Sequence, residues 1–125
     1  MSPVRMNEAE MALRASMAFV DAFNRRDTAA MQALLAPDCR YAPYDLPPDS
    51  EPLTGHAAVM EGLAGLLARY PESSLRAENA FGFGKRCVIF WSFQSDENKL
   101  IRGVEIVEAD NGLITSLNSF VKASA

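Results

Sequence analysis

The chain has 125 residues and a mass of 13.7 kDa, which fits a single domain over residues 1–125. Hydrophobic residues make up 49% and charged residues 22%, and these proportions argue against a disordered or low-complexity protein. Twelve basic and 16 acidic residues give a net charge of −4. Because the basic residues form no cluster, nucleic acid is not expected as a partner.

The cysteine and histidine content indicates neither a metal site nor a disulfide framework. Cys39 and Cys87 lie far apart, and His56 is the only histidine. Without a CxxC or Cys/His cluster, we expect no bound metal and two buried free thiols. The sequence has no apolar run long enough to span a membrane, and its N-terminus lacks the apolar core of a signal peptide. We therefore expect a soluble, cytoplasmic protein.

The first half of the chain predicts three helices. Apolar side chains recur at helical spacing from residue 7 to 24, which indicates a long amphipathic helix with a broad apolar face. A short second helix is predicted over residues 27–35, followed by a short strand over residues 39–42. Residues 43–52 include four prolines and predict a stiff loop. The third helix is predicted over residues 56–70.

The second half predicts strands that alternate with turns. The strands cover residues 74–80, 86–94, 100–108 and 113–122, and the turns cover residues 81–85, 95–98 and 109–112. The clearest strand carries on one face Cys87, Ile89, Trp91 and Phe93. Helices followed by an antiparallel meander indicate an α+β fold, with helices packed on one face of a sheet.

This order of segments resembles the nuclear transport factor 2-like domains, in their SnoaL-like and ketosteroid-isomerase-like branch. The matching stretches are FVDAFNRRD (Phe19–Asp27), MQALLAPDCRYAP (Met31–Pro43), EPLTGHAAVMEGL (Glu51–Leu63) and RGVEIVEADNGLITSLNSF (Arg102–Phe120). The resemblance implies a cone, in which a strongly curved antiparallel sheet wraps around the long N-terminal helix. It also implies a pocket at the wide end of the cone and a homodimer formed through the outer face of the sheet.

The strand predicted over residues 100–108 supports the dimer independently. Apolar residues occur on both of its faces, with Ile101 and Val107 on one face and Val104 and Ile106 on the other. A strand that exposes one face to water alternates more strictly between apolar and polar residues. We therefore expect a second copy of the chain to cover the outer face.

Glu105 is the leading candidate for chemistry. It lies in the middle of a strand between Gly103 and Val107, so a cavity on that face surrounds its carboxyl group with apolar side chains. Desolvation then raises the pKa of the carboxyl group and favours the neutral acid, which can donate a hydrogen bond or exchange a proton with a substrate. The alternative is that Glu105 points outward or pairs with an Arg or Lys across the sheet.

The resemblance places Glu105 at the position of the acidic hydrogen-bond donor in the oxyanion hole of the steroid isomerases. The tyrosine of that oxyanion hole corresponds to Phe19, and the catalytic base falls at about Pro43. Neither group carries over, so Asp45 and His56 are the candidate bases. For His56 the alternative is an exposed residue in the first turn of the third helix.

A group of mainly apolar and aromatic side chains is expected to bind the substrate. Its members are Tyr41, Tyr44, Phe19, Phe23, Met60, Trp91, Phe93, Leu117 and Ser119. For the tyrosines, packing of Tyr41 in the core and bracing of the proline-rich loop by Tyr44 remain open as alternatives.

Three functions are consistent with the sequence. The first is an enzyme without cofactor that isomerises, cyclises or dehydrates an apolar carbonyl or polyketide- or steroid-like compound, with Glu105 as acid and Asp45 or His56 as base. The second is a protein that binds an apolar ligand without catalysis, since one fold hosts both functions. The third is a dimerisation module whose cavity is filled by its own side chains.

Overall fold

The computed structural model describes residues 7–94 and 99–122. Three helices and six strands follow one another within these residues. They are α1 (Glu8–Asn24), α2 (Thr28–Ala33), β1 (Leu35–Ala42), β2 (Leu53–Thr54), α3 (His56–Arg69), β3 (Ser74–Phe83), β4 (Arg86–Gln94), β5 (Leu100–Asp110) and β6 (Leu113–Val121). The predicted turn over residues 95–98 lies outside the described residues.

Helix α1 begins at a side-chain cap and buries one face. Asn7 accepts a hydrogen bond of 2.8 Å from the backbone N–H of Glu10, which satisfies one of the free donors of the first turn. The buried face consists of Ala12, Ala15, Ser16, Phe19, Ala22 and Phe23. Strands β3 to β6 all contact α1, so the helix lies along the concave face of the sheet.

The six strands form one sheet in the order β2-β1-β6-β5-β4-β3. Strands β3 to β6 form the predicted antiparallel meander, and β2 pairs antiparallel with β1. One pair departs from the predicted antiparallel sheet, because β1 runs parallel to β6. The α+β class and the curved sheet around a long N-terminal helix are confirmed, and the parallel pair places β1 beside β6, the last strand of the meander, in the same sheet.

Three interruptions of the strand register help the sheet to curve. They fall between Leu35 and Arg40 in β1, between Ala77 and Asn79 in β3, and between Glu108 and Ala109 in β5. Gly103 of β5 lies opposite Trp91 of β4. A Cβ atom at this glycine would overlap both the Phe120 carbonyl oxygen and the Trp91 ring. The indole therefore covers the glycine on the concave face.

The concave face of the sheet forms the core with α1. Cys87, Ile89, Trp91 and Phe93 are all buried, which confirms the alternation predicted for β4. Strand β3 continues to Phe83, whereas a turn over residues 81–85 was expected. Only Gly84 and Lys85 connect β3 to β4, because the ladder continues past Gly82 to the pair of Phe83 with Arg86.

The observed ends of other strands differ from the predicted ends by a few residues. Strand β1 begins at Leu35, four residues before the predicted start, since it pairs with Ile114 of β6 and not only with β2. Strand β5 extends to Asp110. The turn between β5 and β6 contains Asn111 and Gly112 with φ angles of 51° and 81°, as a two-residue hairpin turn requires.

The convex face of the sheet carries several exposed apolar side chains. Phe90, Val104 and Phe120 form a row across β4, β5 and β6, and the Phe81 ring lies 6.2 Å from the Phe90 ring. Phe90 is 42% and Phe120 is 51% exposed. Among residues 7–94 and 99–122, the packing leaves these side chains partly exposed. Among the described residues, no helix is long and apolar enough to cross a membrane.

Candidate functional site

A cavity of about 90 Å³, measured as the space open to the centres of water molecules, lies between α1 and the concave face of the sheet. Eight of the nine expected substrate-binding residues line it, together with Glu105. These eight are Phe19, Phe23, Tyr41, Tyr44, Trp91, Phe93, Leu117 and Ser119. The lining is otherwise mainly aliphatic and aromatic, and includes Leu63, Leu66, Ile101 and Val107.

Glu105 faces this cavity from the middle of β5. Its neighbour in the β5–β6 pair is Ser119, whose Oγ donates a hydrogen bond to Oε2 of Glu105. Its neighbour on β4 is Ile89, so no cation lies directly across either strand pair. Because Glu105 also lines the cavity, the structure shows neither alternative, an outward-pointing side chain or a cross-strand Arg or Lys partner.

The environment of Glu105 favours its neutral form. The side chain keeps some accessible surface because it borders the cavity, but its carboxyl group is removed from bulk solvent. Burial raises the pKa of Glu105 from 4.5 to about 7, although the hydrogen bond from Ser119 acts in the opposite direction. Both protonation states are therefore populated near neutral pH, which suits a group that gives and takes protons.

Tyr41 reaches the same cavity from β1. The residue is buried, and both burial and the negative charge of Glu105 raise the pKa of its phenol well above the ordinary value. Its hydroxyl group therefore stays protonated at physiological pH and can donate a hydrogen bond. In the sheet, Tyr41 pairs with Leu117, two residues before Ser119 on β6. Tyr41, Ser119 and Glu105 thus come from three adjacent strands.

The mouth of the cavity lies between the proline-rich loop and the end of α3. Tyr44 and Tyr70 both line the cavity, and the pKa of Tyr44 is raised by burial and by the neighbouring Tyr70 phenol. Next to this pair, Arg69 Nη1 lies 3.5 Å from Asp45 Oδ2. Tyr44 is 40% exposed, so the tyrosine pair forms the boundary between the cavity and the solvent.

The two candidate bases lie outside the cavity lining. Asp45 is exposed and pairs with Arg69, because the loop turns its carboxylate toward α3. His56 Nε2 is 2.8 Å from the carbonyl oxygen of Leu35, to which the ring donates from that nitrogen. The start of α3 is thereby fixed against β1, and His56 borders a shallow surface groove beside α2. Neither side chain belongs to the lining of the cavity.

Met60 is the one expected substrate-binding residue that does not line the cavity. It is partly buried and packs against the core from α3, whose cavity-facing side carries Leu63 and Leu66. Cys39 and Cys87 are free and buried. Burial raises the pKa of both thiols, which makes them poor nucleophiles. In the described part of the chain, no group of three or more His, Cys, Asp and Glu side chains is placed to hold a metal ion.

Tyr70 is a cavity residue that the sequence did not indicate. Its ring contacts Phe93 edge to face, with 5.4 Å between ring centroids and an interplanar angle of 81°. The residue follows α3 directly and precedes Pro71, which signals the end of a helix and nothing about a cavity. Its contacts with β4 and with the proline-rich loop join residues that are far apart in the sequence, so no local pattern predicts them.

A cone-shaped sheet around α1, with one acidic side chain inside a largely apolar cavity, defines a domain of the nuclear transport factor 2-like class. A family model described as the SnoaL-like domain matches residues 17–117. The chain therefore belongs to the SnoaL-like family. A search of curated proteins gave no significant match.

Solved structures support the same fold. A protein of Kribbella flavida described as a "putative ketosteroid isomerase" superposes with a TM-score of 0.81 at 24% identity, over 97% of this chain and 84% of that one. A nuclear transport factor 2-like protein of unknown function from Mesorhizobium loti gives 0.81 at 24% identity, over 98% and 100%. TerC, co-crystallised with polyporic acid, gives 0.75 at 20% identity, over 90% and 92%. At these identities the likeness concerns the fold.

Proposed function

We propose that this chain is a single-domain enzyme that works without a cofactor and isomerises, cyclises or dehydrates an apolar carbonyl compound by proton transfer. The observation that carries the proposal is the position of the Glu105 carboxyl group, which faces an apolar cavity in which burial raises its pKa to about 7. Enzymes that move protons at neutral pH use groups tuned to this range. The co-crystal of TerC with polyporic acid is consistent with an organic ligand in the same fold.

In the proposed reaction, Glu105 acts as both base and acid. Its ionised carboxylate takes a proton from the carbon next to the substrate carbonyl, and the electron pair of that C–H bond moves into an enolate. The neutral acid then returns the proton to a different carbon. The Ser119 hydroxyl holds Oε2, which leaves Oε1 to face the ligand. Glu105 takes over the role first considered for Asp45 and His56, because it is the carboxylate that lines the described cavity.

Tyr41 supplies the hydrogen bond that an enolate oxygen needs. Phe19 cannot donate at the corresponding position of α1, whereas Tyr41 presents a protonated phenol from β1. Each well-placed donor of this kind contributes roughly a hundredfold to a thousandfold in rate. The proposed machinery is therefore Glu105 for proton transfer, Tyr41 for the oxyanion and Ser119 for orientation.

Hydrogen–deuterium exchange at a carbonyl compound tests this proposal without knowledge of the natural substrate. In D₂O, the protein should accelerate exchange of the α-hydrogens of β-tetralone, as followed by proton NMR. Glu105→Gln should abolish the acceleration, and Tyr41→Phe should reduce it by about a hundredfold. Glu108→Gln is the matched control, since that glutamate lies on the opposite face of β5. Absence of acceleration, or equal rates in the Glu105→Gln variant, contradicts the proposal.

Binding without catalysis is the second candidate function. It is favoured by one observation, namely that the described cavity lining offers a single carboxyl group and no separate base. In that case, Glu105→Gln should leave ligand binding intact, and no exchange should occur in either protein. The open cavity counts against the third candidate, a module whose cavity is filled by its own side chains.

The proposal includes a homodimer formed through the convex face of the sheet. The row of Phe90, Val104 and Phe120 leaves apolar surface in water that a second copy would cover. The ion pairs Arg86–Glu108 and Arg102–Glu78 lie on the same face and would flank that contact. The cytoplasmic setting and the absence of nucleic-acid and membrane partners remain part of the proposal.

A further inference from the structure

Arg26 occupies a backbone position that normally suits glycine. Helix α1 ends at Asn24, Arg25 is its C-cap, and Arg26 follows with a φ angle of 56°. This left-handed conformation is unfavourable for a residue with a Cβ atom, and the position after a C-cap is most often glycine. The side chain of Arg26 must therefore make contacts that offset the cost of its backbone.

The guanidinium group of Arg26 binds the connection between α3 and β3. Its Nη2 donates to the backbone carbonyl oxygens of Tyr70, Pro71 and Ser73 at 3.2, 3.0 and 2.7 Å. The buried Ser73 closes the same turn, because its Oγ donates to the Tyr70 carbonyl at 2.6 Å. Hydrogen bonds from a charged donor are stronger than those between neutral groups. Arg26 thereby fastens this turn to the end of α1.

Asn24, the last residue of α1, binds the next stretch of the chain in two directions. Its Nδ2 donates to the carbonyl oxygen of Leu75 at 2.7 Å, and the N–H of Leu75 donates to its Oδ1 at 2.8 Å. Leu75 lies at the start of β3, which is at the edge of the sheet. Asn24 and Arg26 together form a clamp, the α1 clamp, on the chain from Tyr70 to Leu75.

The clamped segment forms part of the cavity wall. The side chains of Tyr70 and Leu75 line the cavity and are only partly buried, so each lies between the cavity and the solvent. The Tyr70 ring also packs edge to face on Phe93, another lining residue. Phe23 lines the cavity from α1, and the guanidinium carbon of Arg26 lies 5.9 Å from the centre of its ring. The α1 clamp therefore contacts or holds three lining residues.

Loss of the clamp would affect Glu105 indirectly, because neither Asn24 nor Arg26 belongs to the described lining. Without these hydrogen bonds the wall segment can move outward and admit water. Apart from Glu105, the titratable groups of the described lining are the phenols of Tyr41, Tyr44 and Tyr70.

Hydration and charge would change the Glu105 carboxyl group in opposite directions. Burial is the cause that raises its pKa from 4.5 to about 7, so entry of water would lower the pKa again. Loss of a nearby cation would raise the pKa, since a positive charge favours the ionised form. The direction of the change therefore separates a positioning role of Arg26 from a direct electrostatic one.

We infer that Asn24 and Arg26 are positioning residues, which fix the segment from Tyr70 to Leu75 against α1 and so keep the cavity wall closed and water away from Glu105. This inference rests on the proposed function, because proton transfer by Glu105 at neutral pH requires a carboxyl group that is shielded from water. The two residues support the reaction without touching the substrate.

Four variants of the full chain test the inference. Arg26→Gly removes the guanidinium group and suits the φ angle of 56°, so the loss of the clamp is not accompanied by backbone strain. Arg26→Lys keeps a cationic donor and is the conservative rescue. Asn24→Ala removes the other half of the clamp and carries the test if Arg26→Gly does not fold. Arg25→Gln is the matched control, because Arg25 pairs at the surface with Asp21 and Asp27.

Two measurements on the ligand-free proteins give the result. Titration of the Glu105 carboxyl carbon by ¹³C NMR measures its pKa, and acrylamide quenching of Trp91, the only tryptophan and a buried lining residue, measures access to the cavity. We expect Arg26→Gly and Asn24→Ala to lower the pKa of Glu105 by at least about one pH unit, a tenfold change in its ionisation constant, and to increase quenching severalfold. Arg26→Lys should lie between Arg26→Gly and the wild type, and Arg25→Gln should match the wild type.

Wild-type values of both the Glu105 pKa and Trp91 quenching in Arg26→Gly and Asn24→Ala overturn the inference, because a clamp that only adds stability changes neither. A pKa that rises in Arg26→Gly also overturns it and assigns the guanidinium group a direct electrostatic effect. In both cases the proposed function stands. If the carboxyl group of the wild type already titrates near 4.5, the proposed function fails together with the inference.

Discussion

Glu105 and Ser119 are direct partners in the β5–β6 pair, and the serine hydroxyl donates a hydrogen bond to one oxygen of the buried carboxyl group. This contact stabilises the ionised form, while burial among apolar side chains stabilises the neutral form. Burial is the larger effect, so the pKa of Glu105 lies at about 7 and not at 4.5. The balance between burial and this hydrogen bond sets the pKa of Glu105, which in turn affects how stability depends on pH.

Glu105 should make the folded protein less stable as the pH rises. Its pKa is about 7 in the folded state, against 4.5 when solvated, so the folded state binds the proton more tightly. The contribution to stability is fully present below pH 4.5 and is lost as the pH rises to about 7. The difference amounts to about 3 kcal/mol in the free energy of unfolding.

Urea unfolding at pH 4.5 and pH 8 measures this effect when the wild type is compared with Glu105→Gln. The glutamine cannot ionise, so the variant should lack this part of the pH dependence and should be the more stable protein at pH 8. Glu108→Gln serves as control, because that exposed side chain pairs with Arg86 on the convex face. An identical pH dependence of wild type and Glu105→Gln would show that the carboxyl group is hydrated.

Removal of the Ser119 hydroxyl should raise the pKa of Glu105 above 7. The hydroxyl donates to the carboxylate, so its loss disfavours the ionised form by about one pH unit. Titration of the Glu105 carboxyl carbon by ¹³C NMR in Ser119→Ala measures the shift. Ser116→Ala is the matched control, since Ser116 lies on β6 beside Glu108. A pKa that stays at the wild-type value in Ser119→Ala would contradict the role of this hydrogen bond.

Gly103 should not tolerate even one methyl group. Its added Cβ would overlap the Phe120 carbonyl oxygen and the Trp91 ring, so Gly103→Ala should lower the free energy of unfolding by about 1–3 kcal/mol. Gly65 offers the opposite case in α3, where a Cβ would meet nothing within 4 Å. Gly65→Ala should therefore raise stability by about 0.5–1 kcal/mol. Urea unfolding of both variants checks the pair, and equal effects would refute the close packing at Gly103.

A charge in the exposed aromatic row should prevent dimer formation. We expect the wild type to sediment at twice the chain mass and Phe90→Arg at the mass of one chain, because the arginine would be desolvated between the two sheets. Leu113→Arg is the control, since Leu113 is exposed at the opposite end of β6 from Phe120. A monomeric wild type at micromolar concentration would argue against the convex face as an interface.

Much of the fold followed from periodicity along single elements. The alternation of β4 predicted which side of the strand is buried, and so it placed Trp91 and Phe93 toward the helix. The same reasoning singled out Glu105 as an acidic residue on a strand with apolar neighbours. These inferences succeeded because burial of one face is encoded locally, by side chains that repeat at the spacing of the element.

The orientation of the two candidate bases could not be predicted from periodicity. The sequence puts Asp45 and His56 near the expected pocket, but their orientation depends on how the loop and α3 dock. In the structure, Arg69 holds the carboxylate of Asp45 outside, and the Leu35 carbonyl holds the His56 ring against β1. No local pattern specifies such contacts, because their partners come from distant parts of the chain.

The amino-acid sequence by itself determined the elements, the buried face of each strand and the presence of one carboxyl group among apolar residues. The tertiary structure decided which polar groups share the cavity, bringing Tyr41 and Ser119 beside Glu105 and setting Tyr70 opposite Tyr44 at the mouth. The physical reason is that the spacing of apolar residues reflects which side of a single helix or strand is exposed to water. The desolvation of the Glu105 carboxyl group and the convergence of polar side chains depend instead on how several elements pack around one cavity.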